Sequence, residues 1–188
     1  MENTEFGARL NSFKLGLKKT EIEETGHLTL ALLRRDNKAG LTCADLNFPD
    51  HLSNLEIKTL KRFSNESSIK INGLAMRYYT SPKFKLGAFT NPEKAVRELA
   101  VDETKRGIDC AASLGCETMT LWMGQDGLDY SFQADFSQMW DHTIAAMQEL
   151  SDHNRSINLS IEYKPNEPRA FSLMPDVSTT LLALGEIN

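Results

Sequence analysis

The chain lacks a long apolar run, an excess of basic residues and a paired set of cysteines, and each absence argues against a class of protein. No apolar segment approaches the roughly 20 residues that a membrane-spanning helix needs, and the acidic residues 1–5 do not resemble a signal peptide. The net charge of −5 argues against a nucleic-acid partner, which selects a basic surface. Three cysteines, an odd number, suggest a reducing, cytoplasmic compartment rather than a disulfide framework.

Common catalytic signatures are missing as well. No Gly-x-Gly-x-x-Gly follows the first predicted strand and no Walker-type loop is present, which removes the usual phosphate-binding loops. Neither a Gly-x-Ser-x-Gly elbow nor a Ser-His-Asp or Cys-His arrangement indicates nucleophilic hydrolysis. We expect His27, His142 and His153 on helix surfaces, because nothing spaces them as metal ligands.

What is present describes one soluble globular domain over residues 1–188, with 40% hydrophobic and 25% charged side chains. Alternating and helically spaced apolar residues predict strands and helices in strict succession. The predicted strands cover residues 6–14, 41–47, 69–79, 117–122 and 157–164. The predicted helices cover residues 20–36, 54–64, 92–114, 136–150 and 176–184.

The helix over 92–114 has the clearest predicted ends, with Asn91 as its cap, Pro92 at its first position and Gly115 just past its end. Five repeats of strand and helix are typical of right-handed crossovers in a parallel α/β sheet. The sheet is either open and doubly wound or part of a (β/α)8 TIM barrel. A complete barrel needs about 250 residues, so about five βα units fit in this chain.

The strand over 157–164 places a polar side chain at every second position. Its last two polar residues, Glu162 and Lys164, precede Pro165, which ends the strand. In α/β proteins this end of the sheet binds ligands. Two interpretations remain open: a charged pair directed into a covered site, which needs a partner or a ligand, or an edge strand with a solvated polar face.

The ends of the other strands are also polar. They carry Asp45, Asn47, Asp50 and His51 after the second strand, Arg77 and Tyr79 after the third, Trp122, Gln125 and Asp126 after the fourth, and Asn166 and Glu167 after the fifth. Gathered at a barrel mouth, these groups predict a polar pocket with one aromatic wall. Such a pocket suits a polyhydroxylated substrate and a hard divalent cation. His51 as a surface-loop residue and Trp122 as a core aromatic are the alternatives.

Three segments resemble the xylose isomerase-like TIM-barrel superfamily of aldose–ketose isomerases and sugar epimerases. Residues 162–169, Glu-Tyr-Lys-Pro-Asn-Glu-Pro-Arg, are similar to its Glu-x-Lys-Pro-x-Glu-Pro segment. Residues 122–127, Trp-Met-Gly-Gln-Asp-Gly, resemble its Trp-x-Gly-x-(Glu/Asp)-Gly turn after strand four. Residues 47–51, Asn-Phe-Pro-Asp-His, are similar to the segment after strand two.

The resemblance implies a role for each matching residue. Glu162 would be a carboxylate ligand of Mn²⁺, Mg²⁺ or Co²⁺, and Lys164 would contact the substrate carbonyl. His51 would bind or open the sugar ring, and Trp122 would wall the pocket. The other substrate-binding candidates are Asn47, Asp50, Asp126 and Asn166. The implied reaction is a metal-assisted interconversion of an aldose and a ketose.

The chain departs from the superfamily because the remaining metal ligands come from strands six to eight, which lie beyond Asn188. We therefore expect an incomplete barrel: a fragment, a truncated product, a homo-oligomer, or a half completed by another chain. The alternatives are a different metal-dependent TIM-barrel enzyme, such as a sugar epimerase or an endonuclease, and a non-catalytic half-barrel that associates through its open sheet edges.

Overall fold

The structure, a computed structural model, describes residues 5–187. Its main feature is a five-stranded parallel sheet in the order β1-β2-β3-β4-β6. The strands of this sheet are β1 (Gly7–Arg9), β2 (Cys43–Phe48), β3 (Lys70–Met76), β4 (Thr118–Leu121) and β6 (Asn158–Ile161). A separate antiparallel pair joins β5 (Gly127–Leu128) to β7 (Phe171–Ser172).

Six α-helices accompany the strands in the described residues. They are α1 (Lys19–Thr25), α2 (Leu28–Lys38), α3 (Ile57–Ser67), α4 (Lys94–Leu114), α5 (Phe136–His153) and α6 (Val177–Glu186). Their apolar sides pack on one face of the sheet, where Leu46, Leu74, Met76, Met119 and Leu121 are almost fully buried. No helix in residues 5–187 is long and apolar enough to cross a membrane.

The opposite face of the sheet is polar, and the strand register aligns its side chains. Ala75 pairs with Thr120, which pairs in turn with Ser160. Because side chains alternate along a strand, residues two positions farther along point to the same face. These are Arg77, Trp122 and Glu162, so three neighbouring strands present one charged and aromatic row at their carboxyl ends.

The parallel α/β architecture with five βα units and an incomplete barrel is confirmed, but several predicted boundaries are wrong. The first strand is only three residues long, because Leu10–Phe13 turn into a 3-10 helix that buries Leu10. The predicted third strand ends at Met76, since Tyr78–Thr80 form another 3-10 turn. The short antiparallel pair of β5 and β7 was not predicted.

Several predicted helix boundaries also need correction; α3, for example, covers Ile57–Ser67 rather than 54–64. The helix expected over 20–36 is two helices, because Gly26 adopts a left-handed φ of 76° that ends the first, and the imidazole of His27 caps the second. Helix α4 begins at Lys94, two residues later than expected. The Asn91 side chain instead accepts from the Glu93 N–H and donates to the Gly87 carbonyl, which fixes the preceding loop.

Candidate functional site

A cavity of about 210 Å³ opens at the carboxyl ends of the sheet strands. It is lined by Arg9, Ala75, Met76, Arg77, Tyr79, Thr120, Trp122, Glu162 and Lys164. Parallel strands put their carboxyl ends at one edge of a sheet, which is where α/β proteins build ligand sites. The predicted residues Glu162, Lys164 and Trp122 therefore lie together.

Glu162 faces an arginine from the far edge of the sheet. The Arg9 guanidinium donates to the Glu162 carboxylate over 2.7 Å, and each side chain is a little over 40% exposed. Because β1 and β6 are the two edge strands, this contact requires a sheet curved enough for its edges to approach each other. The sequence did not point to Arg9, because the predicted first strand over 6–14 placed this residue in its middle, whereas the observed strand ends at it.

A row of cations and aromatic rings forms one side of the cavity. Lys164 Nζ lies 5.5 Å from the centroid of the Trp122 ring, and the Arg77 guanidinium lies 4.3 Å from that of Tyr79. The two rings meet edge to face, with centroids 4.9 Å apart. Lys164 also donates to the Glu167 carboxylate, and that hydrogen bond lowers the pKa of Glu167. The row provides an apolar surface with cations at both ends.

Glycines account for the turn after β4. A Cβ at Gly124 would lie 2.5 Å from the Trp122 ring, so only a glycine lets the indole fold over the backbone there. A Cβ at Gly127 would lie 2.2 Å from the Phe171 carbonyl oxygen, which explains how β5 approaches β7 so closely. The two glycines of residues 122–127 are therefore explained by close packing, and the one at Gly124 leaves room for the Trp122 ring.

His51 is buried away from the cavity. Its Nδ1 accepts from the Asn47 N–H at 3.0 Å, its Nε2 lies 3.2 Å from Asn11 Oδ1, and only 1% of the residue is exposed. Burial, with a smaller contribution from nearby cations, lowers its pKa to about 4. A neutral, enclosed imidazole suits a structural anchor, and the ring-opening role of His51 stays a prediction.

The residues next to His51 also lie outside the cavity lining. Asp50 is exposed and accepts from the Thr80 hydroxyl at 3.3 Å. Asn47 is 1% exposed, and its side-chain amide has no hydrogen-bond partner among the described residues. Asn47 pairs in register with Ala75, a residue of the cavity lining, so its strand position borders the site.

Asp126 is 1% exposed and holds a loop rather than lining the cavity. Its carboxylate accepts from the backbone N–H groups of Ala88 and Thr90 and from the Thr90 hydroxyl, at 2.7 to 3.2 Å. Burial raises the pKa of Asp126, and hydrogen bonds from Thr90 oppose that rise. The substrate-binding role of Asp126 stays a prediction. Asn166 is exposed and also lies outside the lining.

Arg169, the last residue of the segment over 162–169, was not predicted to matter. Its guanidinium donates to the Asp129 carboxylate at 2.8 Å and to the backbone carbonyls of Lys85 and Gln125. Its side chain is only 11% exposed. Arg169 therefore connects the loops that follow β3, β4 and β6 and holds them in position.

The sequence profile of the family described as "Xylose isomerase-like TIM barrel" matches residues 33–174. This chain belongs to that family. Over 117 residues it is 28% identical to the xylose isomerase of Thermus thermophilus. The aligned segment covers 60% of this chain and 30% of that protein.

Solved structures share the fold of this family member. A D-allulose 3-epimerase from Methylomonas sp. in complex with D-allulose matches with a TM-score of 0.72 at 16% identity, covering 98% of this chain and 59% of that one. A family 2 AP endonuclease from Brucella melitensis matches with a TM-score of 0.70 at 14% identity, covering 98% and 64%. At these identities the likeness shows the fold alone, and the chain spans about three-fifths of either protein.

The residues of this xylose isomerase-like chain do not by themselves fit a divalent metal. Within residues 5–187 no group of three or more histidine, cysteine, aspartate or glutamate side chains lies close enough to hold an ion. Among the residues that line the cavity, Glu162 supplies the single carboxylate, and Arg9 pairs with it. A hard cation needs several oxygen ligands, so the predicted metal role of Glu162 requires further donors.

Proposed function

We propose that this chain provides the sugar-binding portion of a monosaccharide isomerase that interconverts an aldose and a ketose. One observation carries the proposal: Glu162 and Lys164 share a single cavity with Trp122 at the ligand-binding end of a TIM-barrel sheet. The family membership and the 28% identity to a xylose isomerase support the same chemistry.

Each cavity residue has a role that its chemistry supports. The rings of Trp122 and Tyr79 form a surface for the C–H side of a sugar. Lys164 donates to the sugar carbonyl oxygen and stabilises negative charge that develops there. In this chain alone, the Glu162 carboxylate accepts a hydrogen bond from a sugar hydroxyl. Where another segment or subunit supplies further oxygen or nitrogen donors, Glu162 would also contribute to binding Mn²⁺, Mg²⁺ or Co²⁺.

We propose that those donors come from a complementing segment or subunit that pairs with β6. This strand is an edge of the described sheet, and unpaired edges readily accept another strand. Beside it, Leu159 and Ile161 line a groove of about 280 Å³ together with Leu184 and Ile187 of the last described segment. The isomerase activity is thus assigned to the completed assembly rather than to this chain alone.

Tryptophan fluorescence tests the sugar-binding part of the proposal. A Trp140→Phe variant leaves Trp122 as the single reporter, because the chain has two tryptophans. We expect pentoses or hexoses to change its emission in a saturable way, and Lys164→Met to weaken that binding. The matched control is Lys61→Met, which removes an exposed lysine of α3 that does not line the cavity. If no monosaccharide perturbs Trp122, the proposal is wrong.

A non-catalytic half-barrel is the second candidate, favoured by the pairing of Glu162 with Arg9. Calorimetric titration with Mn²⁺ separates the two. An isomerase subunit completed by its complement should bind Mn²⁺ and lose that binding in Glu162→Gln, whereas a non-catalytic half-barrel should bind none. Chromatographic analysis of sugars after incubation then distinguishes ketose formation from epimer formation.

A further inference from the structure

The cavity carries more positive charge than its one carboxylate offsets. Its lining contributes three cations, Arg9, Arg77 and Lys164, against Glu162. Two of these cations have acidic partners, since Arg9 pairs with Glu162 and Lys164 pairs with Glu167. A neutral sugar would leave this imbalance in place, so the cavity is electrostatically suited to a ligand with negative charge.

Arg77 is the cation left without an acidic partner among residues 5–187. Its guanidinium lies over the Tyr79 ring, at 4.3 Å from the centroid. Stacking uses the flat face of the guanidinium and leaves its N–H edge available. The Arg77 Nε is buried and has no hydrogen-bond partner in the described part of the chain. A shielded donor without an acceptor costs free energy, so the chain itself does not satisfy this guanidinium, and its terminal N–H groups are the ones left for a bound anion.

We infer that Arg77 binds the anionic group of a sugar ligand, a carboxylate or a phosphate, while the sugar ring contacts Tyr79 and Trp122. The inference rests on the proposed function, which it deepens by naming the substrate class. The planar guanidinium matches the two oxygens of a carboxylate or a phosphate group with parallel hydrogen bonds. Tyr79, between Arg77 and Trp122, sets the separation between the anion and the apolar surface.

Calorimetry with matched ligands tests this inference on the full chain at low ionic strength. D-glucose, D-glucuronate and glucose 6-phosphate share one ring and differ in charge. We expect at least one of the anionic sugars to bind about 10- to 100-fold more tightly than glucose, the range of a charge-assisted hydrogen bond. Whichever of the two binds more tightly identifies the anion as carboxylate or phosphate.

Three variants assign the effect to Arg77. Arg77→Gln should remove the preference, so that the anionic sugar and glucose bind this variant with similar affinity. Arg77→Lys, which keeps the charge but loses the planar fork, should retain part of the preference. Arg62→Gln, an exposed arginine of α3, should behave like the parent chain. Circular dichroism and urea unfolding confirm that each variant is folded before its affinity is compared.

The remaining outcomes separate failure of the inference from failure of the proposed function. Equal affinity for glucose and both anionic sugars overturns the inference and leaves the sugar-binding proposal standing. Inorganic phosphate binding as tightly as glucose 6-phosphate, with loss in Arg77→Gln, supports the anion site and contradicts a role for the sugar ring. No binding of any of these ligands overturns the inference, and the Trp122 fluorescence measurements with pentoses and hexoses then decide the proposed function separately.

Discussion

Arg9 and Glu162, 153 residues apart, form an ion pair of 2.7 Å that joins the first and last strands of the five-stranded sheet. Both side chains line the cavity, and the pair holds the Glu162 carboxylate in place. It also blocks that carboxylate, because a guanidinium occupies one of its oxygens. Any ligand that needs Glu162 must therefore compete with Arg9.

The Arg9–Glu162 pair should contribute little to folding. Both side chains are over 40% exposed, and solvent screens such pairs to roughly 0–1 kcal/mol. A double-mutant cycle of Arg9→Met and Glu162→Gln, followed by urea unfolding, should give a coupling free energy below about 1 kcal/mol. That coupling should shrink further in high salt.

Replacing Arg9 should affect the affinity for sugars differently from the free energy of unfolding. Removing Arg9 frees the Glu162 carboxylate to accept from a hydroxyl, so Arg9→Met should bind monosaccharides at least as tightly as the parent chain. Lys105→Met, which removes a cation paired with Glu149 on distant helices, is the matched control. A large loss of sugar affinity in Arg9→Met alone would mean that Arg9 itself contacts the ligand.

Asp126 should matter for stability rather than for catalysis. Asp126→Ala leaves the buried donors of Ala88 and Thr90 without acceptors, which should cost about 3–5 kcal/mol of unfolding free energy. Asp129→Ala, which removes a partly exposed carboxylate on the other side of β5, should cost less. Urea unfolding measures both, and similar losses for the two variants would contradict the loop-anchoring role.

His51, predicted as a catalytic residue, is expected to act as a buried anchor. His51→Gln should lower the free energy of unfolding by about 1–3 kcal/mol, because the Asn47 N–H and the Asn11 side chain lose a well-placed partner. Monosaccharide affinity, measured by Trp122 fluorescence, should stay within about twofold. A folded His51→Gln variant that has lost sugar binding would restore the original prediction.

Parts of this site were predictable from sequence and parts were not, for physical reasons. Alternation along residues 157–164 predicts Glu162 and Lys164 on one face. Both do line the cavity, although the strand is shorter than predicted and ends at Ile161. The contact with Arg9 depends on sheet curvature, a property of all five strands together. The carboxylate of Asp126 is held by N–H groups 36 and 38 residues earlier in the chain, and backbone donors leave no signature in sequence.

Helix α6 should promote self-association of the isolated chain. Three of its leucines face solvent with 46–62% of their area exposed: Leu181, Leu182 and Leu184. Clustered exposed apolar groups favour protein–protein contact. We expect sedimentation velocity to detect concentration-dependent dimers or larger species, reduced in a Leu181→Glu/Leu182→Glu variant.

Asp36 should make stability fall as the pH rises. Its carboxylate is fully buried near the end of α2 with no hydrogen-bond partner among residues 5–187, and burial raises its pKa from 3.8 to about 6. The folded state therefore binds more protons than the unfolded state between these pKa values. The free-energy cost of burying the ionised carboxylate is absent below about pH 4, grows toward pH 6 and is constant above it.

Asp36→Asn should raise the unfolding free energy by about 2–3 kcal/mol at pH 7.5 and have little effect near pH 4. The matched control in urea unfolding is Asp102→Asn, which changes an exposed aspartate of α4. A pH-independent gain in Asp36→Asn would show that the carboxylate is not desolvated, because only a shifted titration links its stability to proton binding.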